Sequence, residues 1–148
     1  MLATRTTLCL LITAVVLFAL SGCGKPHNLP GETGTVKGQV VYDSGTIPQG
    51  STVVMIHQGS GIPATGLIHA SGKFTLQMRN GPDILVGDYD VSIKPPGEID
   101  EEVAHITPAT VPEAWNKVPQ KYWNAKTSEE KFTISPGDNF YEFTLADD

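Results

Sequence analysis

Four histidines, a close set of aromatic residues and one acidic run are the parts of this sequence that bear on chemistry. His57 and His69 fall in stretches that read as strands. If those stretches are neighbouring strands, the two imidazoles could share a zinc ion, which takes nitrogen, sulfur or oxygen ligands, usually four of them. No carboxylate is placed beside them by spacing, and the plainer reading is two strand-end imidazoles half in water. His27 and His105 lie in irregular segments. Glu98, Asp100, Glu101 and Glu102 offer the hard oxygens that Ca²⁺ prefers. Their spacing is not that of a helix-loop-helix calcium site and no glycine sits at the required turn, so a solvated acidic loop is expected. The set Asp83, Asp88 and Asp90 meets the same objection. No metal and no cofactor is expected.

Trp115, Tyr122 and Trp123, beside Asn116, Gln120 and Asn124, suggest a platform for a sugar or a peptide. Flat rings stack on apolar ring faces, and amides bind hydroxyls. The alternative is that the same rings cement an irregular segment onto the fold. Nucleophilic catalysis needs a hydroxyl or thiol beside a base. There is no Gly-x-Ser-x-Gly elbow, and a small domain offers little cleft for paired carboxylates, so no catalytic residue is assigned.

The elements that must position these residues begin with an address. Arg5 precedes the apolar run Leu8–Leu20, and Ser21-Gly22-Cys23 follows. As a helix the run is about 20 Å long against a hydrocarbon core of about 30 Å, too short for a permanent span. A charged start, a short apolar run and small residues at a cut form a secretory signal. Gly24 to Thr33 is rich in glycine and proline and lacks alternation, which predicts a spacer. The remainder, 34–148, is long enough for one hydrophobic core. The chain carries 10 Lys+Arg against 16 Asp+Glu, a net charge of -6, and removal of the leader takes Arg5 away. Nucleic acid and a polybasic membrane contact are thereby disfavoured.

From Gly34 on, the dominant period is two, the period of strands. Thr35–Tyr42 is a first strand with Val36, Gly38, Val40 and Tyr42 on one face. Ser51–His57 is apolar on both faces at its centre, as a central strand would be. Ala64–Ala70 and Lys73–Met78 flank Ser71-Gly72 and predict a hairpin with Phe74, Leu76 and Met78 inward. Asp88–Lys94 buries Tyr89, Val91 and Ile93. Lys131–Ile134 and Phe140–Leu145 predict a last hairpin with Tyr141, Phe143 and Leu145 inward. Between them, 95–130 is too long for a structureless loop. One helical turn is expected there, with Pro112 at its first position and Pro119 after it, in an ordered excursion packed by Trp115, Tyr122 and Trp123.

Two resemblances sharpen these expectations. Leu20-Ser21-Gly22-Cys23 resembles the bacterial lipoprotein signal, in which the cysteine thiol receives diacylglycerol, the chain is cut before it and the new amino group is acylated. That implies lipidation at Cys23, with two or more acyl chains giving stable anchoring. Cys9 lies in the leader, so no disulfide is expected. The succession Thr35-Val36-Lys37-Gly38-Gln39-Val40, Ala70-Ser71-Gly72-Lys73-Phe74-Thr75-Leu76 and Gly87-Asp88-Tyr89-Asp90-Val91-Ser92-Ile93 resembles the carboxypeptidase regulatory-like domain. That resemblance implies a transthyretin-like, seven-stranded sandwich without catalytic activity. The chain ends Thr144-Leu145-Ala146-Asp147-Asp148 and lacks the Tyr-Arg-Gly-Ser tail of the transthyretin-like hydrolases. The iron-ligand pattern of intradiol dioxygenases is also missing.

The expectation is thus an all-β protein: a seven-stranded antiparallel two-sheet sandwich, transthyretin-like, with a long ordered excursion at 95–130 before the last hairpin. Residues 1–22 are the signal, 23–33 the lipidated cysteine and tether, and 34–148 the domain. The expected function is a non-catalytic, lipid-anchored, monomeric module of the cell envelope with a structural or protein-interaction role. It would be held to the membrane by its N-terminal lipid, on the outer membrane where a cell has two. A carbohydrate- or peptide-binding lipoprotein using Trp115, Tyr122 and Trp123 is the alternative, and a small envelope enzyme the third.

Overall fold

A computed structural model describes residues 29–96 and 112–147. Cys23, His27, His105 and the acidic run at Glu98, Asp100, Glu101 and Glu102 lie outside the described residues. The strands are β1 (Thr33–Tyr42), β2 (Thr52–His57), β3 (Pro63–Leu67), β4 (Lys73–Thr75), β5 (Ile84–Leu85), β6 (Gly87–Lys94), β7 (Lys131–Ile134) and β8 (Gly137–Leu145). Seven of them answer to strands expected from the sequence. The eighth, β5, is only two residues long, and two residues cannot display a period.

The strands form two sheets. In the first, β8 covers one side of β1, while β4 and β5 share the other side end to end. The second has the order β3-β2-β6-β7, all antiparallel. β2 is interior to its sheet, which is why Thr52 and Val54 are buried along with Val53 and Met55. Val36, Phe74, Tyr141 and Phe143 join Met55, Tyr89, Val91 and Ile93 in one core. Gly38 carries no side chain because the Phe74 ring and the Tyr141 carbonyl occupy the place of a Cβ.

Three expectations need correction. First, β7 and β8 are no hairpin: β7 pairs with β6 in one sheet and β8 with β1 in the other. Ser135-Pro136 is a corner between sheets, and Asn139 fastens it. Its Oδ1 accepts from the Ser135 N–H at 3.0 Å, while its Nδ2 donates to Ser135 O at 2.8 Å and to Thr35 O at 3.2 Å. Second, the sandwich is not wholly antiparallel. Having crossed, β8 runs parallel to β1 from Gly34↔Gly137 to Tyr42↔Leu145. Third, the Ala64–Met78 hairpin closes at its turn, where His69 N donates to Lys73 O and Gly72 takes φ +76°, but its arms then part. β3 joins one sheet and β4 the other, leaving Thr65↔Gln77 as a bridge between them.

Residues 29–33, expected to belong to the spacer, are part of the folded domain. Leu29 packs against the core, and Glu32 O accepts from Val86 N at 3.0 Å. Within the excursion the described part forms two 3₁₀ turns, Glu113–Lys117 and Gln120–Trp123, then a helical turn, α1 (Ala125–Ser128). Pro112 and Pro119 stand at the caps of the two 3₁₀ turns rather than inside them. α1 begins where Asn124 Oδ1 accepts from Lys126 N and ends where Glu129 turns left-handed at φ 56°.

Candidate functional site

The described part of the excursion, 112–130, packs along one side of the sandwich. β7 covers β6 only from Gly87 to Asp90. Beyond that, Val91 N donates to Glu130 O at 2.9 Å and the Ser128 hydroxyl donates to Val91 O. Lys94 Nζ reaches Trp123 O at 2.8 Å, and burial lowers its pKa by penalising the ammonium. The Tyr122 ring meets Phe143 edge-on at 5.5 Å, and its hydroxyl accepts from Ala146 N. Trp115 and Trp123 lie 5.8 Å apart.

These contacts decide between the two readings of the aromatic group. Trp115 is 0% exposed and Tyr122 and Trp123 are each 4% exposed, so no ring face is open to a sugar or a peptide. The Trp123 N–H donates to Val118 O at 3.0 Å. The Trp115 N–H, fully buried, has no acceptor among the described residues. The rings are cement, and the platform expected of Trp115, Tyr122 and Trp123 is not present in this fold.

The histidines are separated as well. His57 N donates to Ile62 O near one end of the β2–β3 pair, whereas His69 lies past Ile68, whose N–H bonds Ser51 O at the other end. Some seven residues of strand, roughly 23 Å, stand between them, so they cannot share a metal ion. His57 has a local structural role. Its Nδ1 accepts from Ser60 N at 2.9 Å, with Ser60 Oγ also at 2.9 Å, and its ring meets Tyr89 edge-on at 5.0 Å. With Nδ1 accepting a backbone N–H, the neutral ring carries its proton on Nε2. Gly87, at φ +142°, lies against that nitrogen where a Cβ would collide.

Tyr89 donates to Leu85 O at 2.9 Å, and burial pushes its pKa up to about 12, so it stays a phenol. Tyr141 is raised further by burial and by the nearby Glu130 carboxylate. Asp88 accepts from Thr133 Oγ1 at 2.6 Å and Asp90 from Gln58 Nε2 at 2.8 Å, each tying neighbouring chain segments together. Among the described residues no three His, Cys, Asp or Glu side chains converge.

One assembly escaped the sequence reading. Where β3 and β4 part, Thr52, Thr65, Leu67, His69, Thr75 and Gln77 line an open groove of about 410 Å³. Thr65, Leu67 and His69 alternate on one arm and Thr75 and Gln77 on the other. That outward alternation was legible, but the parting of the arms that makes a groove of it was not. Comparison with protein-family models, with curated proteins and with solved structures gives no match.

Proposed function

We propose that this protein is a non-catalytic, lipid-anchored module of the cell envelope whose sandwich serves a structural or protein-interaction role. The observation that carries the reading is Leu20-Ser21-Gly22-Cys23 behind a short apolar run, followed by a brief spacer and a folded β domain. Lipid on Cys23 would hold the domain at a membrane surface outside the cytoplasm. The sandwich is proposed to be of the transthyretin-like type, a reading supported by seven strands of three or more residues in two sheets.

The way the domain spends its reactive side chains supports a non-catalytic role. The aromatic cluster packs the excursion, the His57 ring closes a loop, and Tyr89 and Tyr122 bond main-chain groups. In-cell cross-linking of the full-length protein tests the role. The expected result is a reproducible protein partner joined through one face of the sandwich, and envelope material in which the chain is joined to no protein contradicts it. A second reading, binding of a polyhydroxylated ligand, is favoured by the hydroxyls of Thr52, Thr65 and Thr75 beside Gln77 and His69 in the groove. It expects a saturable rise in melting temperature with an oligosaccharide that Gln77→Ala removes.

A further inference from the structure

The longest sheet edge left open among the described residues is that of β8, and we propose that it docks an extended, lysine-bearing segment of another protein as an added strand. The proposal rests on the interaction role above and gives that role a surface.

The direction of the main-chain groups follows from the ladder on the other side of β1. Leu76 N donates to Val36 O and Val40 N to Gly72 O, so the even-numbered residues of β1 bond toward β4. Odd-numbered residues then bond toward β8. Because Lys37 is level with Phe140, those bonds go to Asn139 and Tyr141. The N–H and C=O groups of Asp138, Phe140, Glu142 and Thr144 therefore point away from β1, and none has another backbone partner among the described residues.

Other edges of the sandwich carry the protections that discourage pairing. β3 opens with Pro63 and is bridged to Gln77 through Thr65. β4, β5 and β7 have three, two and four residues. β8 has nine, with no proline, and its register with β1 is unbroken throughout.

Side chains specify the occupant. Phe140 is 65% exposed on the outer face of β8, with Asp138 and Glu142 two residues to either side on that same face. Asp138 is held in place by the Thr35 hydroxyl at 2.6 Å. Lys37 flanks Phe140 on the β1 side, away from the edge. A side chain of an added strand directly opposite Asp138, Phe140 or Glu142 would stand about 5 Å from it, and about twice as far from Lys37. A second copy of β8, paired antiparallel with Phe140 against Phe140, would set Asp138 against Glu142 and repel. An alternating basic segment meets both carboxylates instead, lays its stems along Phe140 and can place an ammonium over the ring. Main-chain bonds supply the pairing and the charges select the partner, as in other strand-addition complexes.

The test titrates a capped (Val-Lys)4 peptide into the full-length protein in detergent and reads residue-resolved amide exchange. The expected result is slowed exchange at Phe140 and Glu142, and affinity about tenfold above that of (Val-Glu)4. Glu142→Lys should weaken binding about tenfold. Glu142→Pro, which removes the carboxylate together with an outward N–H but no hydrogen bond to β1, should abolish binding, beyond the loss in Glu142→Lys, while the melting temperature holds. No protection at β8, equal affinity for the two peptides, or a dimer joined through β8 would overturn the proposal. A cross-linked protein partner that engages a different face would overturn it too, while leaving the interaction role standing.

Discussion

Trp115 shows how the same residue type can be legible and its use not. The sequence singles out Trp115, Tyr122 and Trp123, but an irregular segment has no period from which to tell an inward ring from an outward one. Burial settles the matter, and it makes a prediction. Trp115→Ala should cost about 3–5 kcal/mol of unfolding free energy in chemical denaturation. Trp115→Phe should cost distinctly less, because it also removes a buried donor that has no acceptor among the described residues. An unchanged midpoint for Trp115→Ala would contradict the cement role. Asp147 was not legible at all, since it meets Tyr42 from 105 residues away. Hydrogen bonds from the Ser44 and Tyr42 hydroxyls hold its carboxyl below the usual range. A lowered carboxyl pKa contributes stability above the ordinary value and loses it as pH falls through its own. The melting-temperature gap between the protein and Asp147→Asn should therefore be open near pH 6 and narrow as the pH falls below the ordinary carboxylate value. A gap that persists in acid would show that the charge is not what anchors the C-terminus.

At the scale of elements, apolar runs between turn signals located seven of the eight strands, and alternation marked the inward residues Phe74, Leu76, Tyr89, Val91, Tyr141 and Phe143. It did not assign strands to sheets. A period of two tells which face of a strand is buried, and both sheets bury their inner faces in the same core, so Lys131–Ile134 and Phe140–Leu145 look like partners whether or not they pair. The corner between them depends on Asn139, which no pattern flags. Asn139→Ala should destabilise the domain by about 0.5–1.5 kcal/mol, since it removes the side-chain bonds that hold the main chain of the corner. Denaturation measures it, and a neutral result would mean that Pro136 and Gly137 suffice. Gly38 makes the complementary case. Gly38→Ala puts a methyl where the Phe74 ring and the Tyr141 carbonyl lie, and a loss of about 1–3 kcal/mol is expected.

For the whole molecule, the docked Leu29 would bring the sandwich close to the lipid proposed on Cys23. The chain from Cys23 to Leu29 can reach no more than about 20 Å, so the domain would stand near the bilayer with its surfaces offered to neighbours at that depth. The proposed role depends on the lipid anchor, and the most direct measurement is the intact mass of the protein recovered from membranes, beside that of Cys23→Ser. The expected result is a chain starting at Cys23 that carries diacylglycerol and a further acyl group, with the Cys23→Ser protein lacking that lipid mass. A membrane-bound chain with an unmodified Cys23, or a cut at another residue, would contradict it.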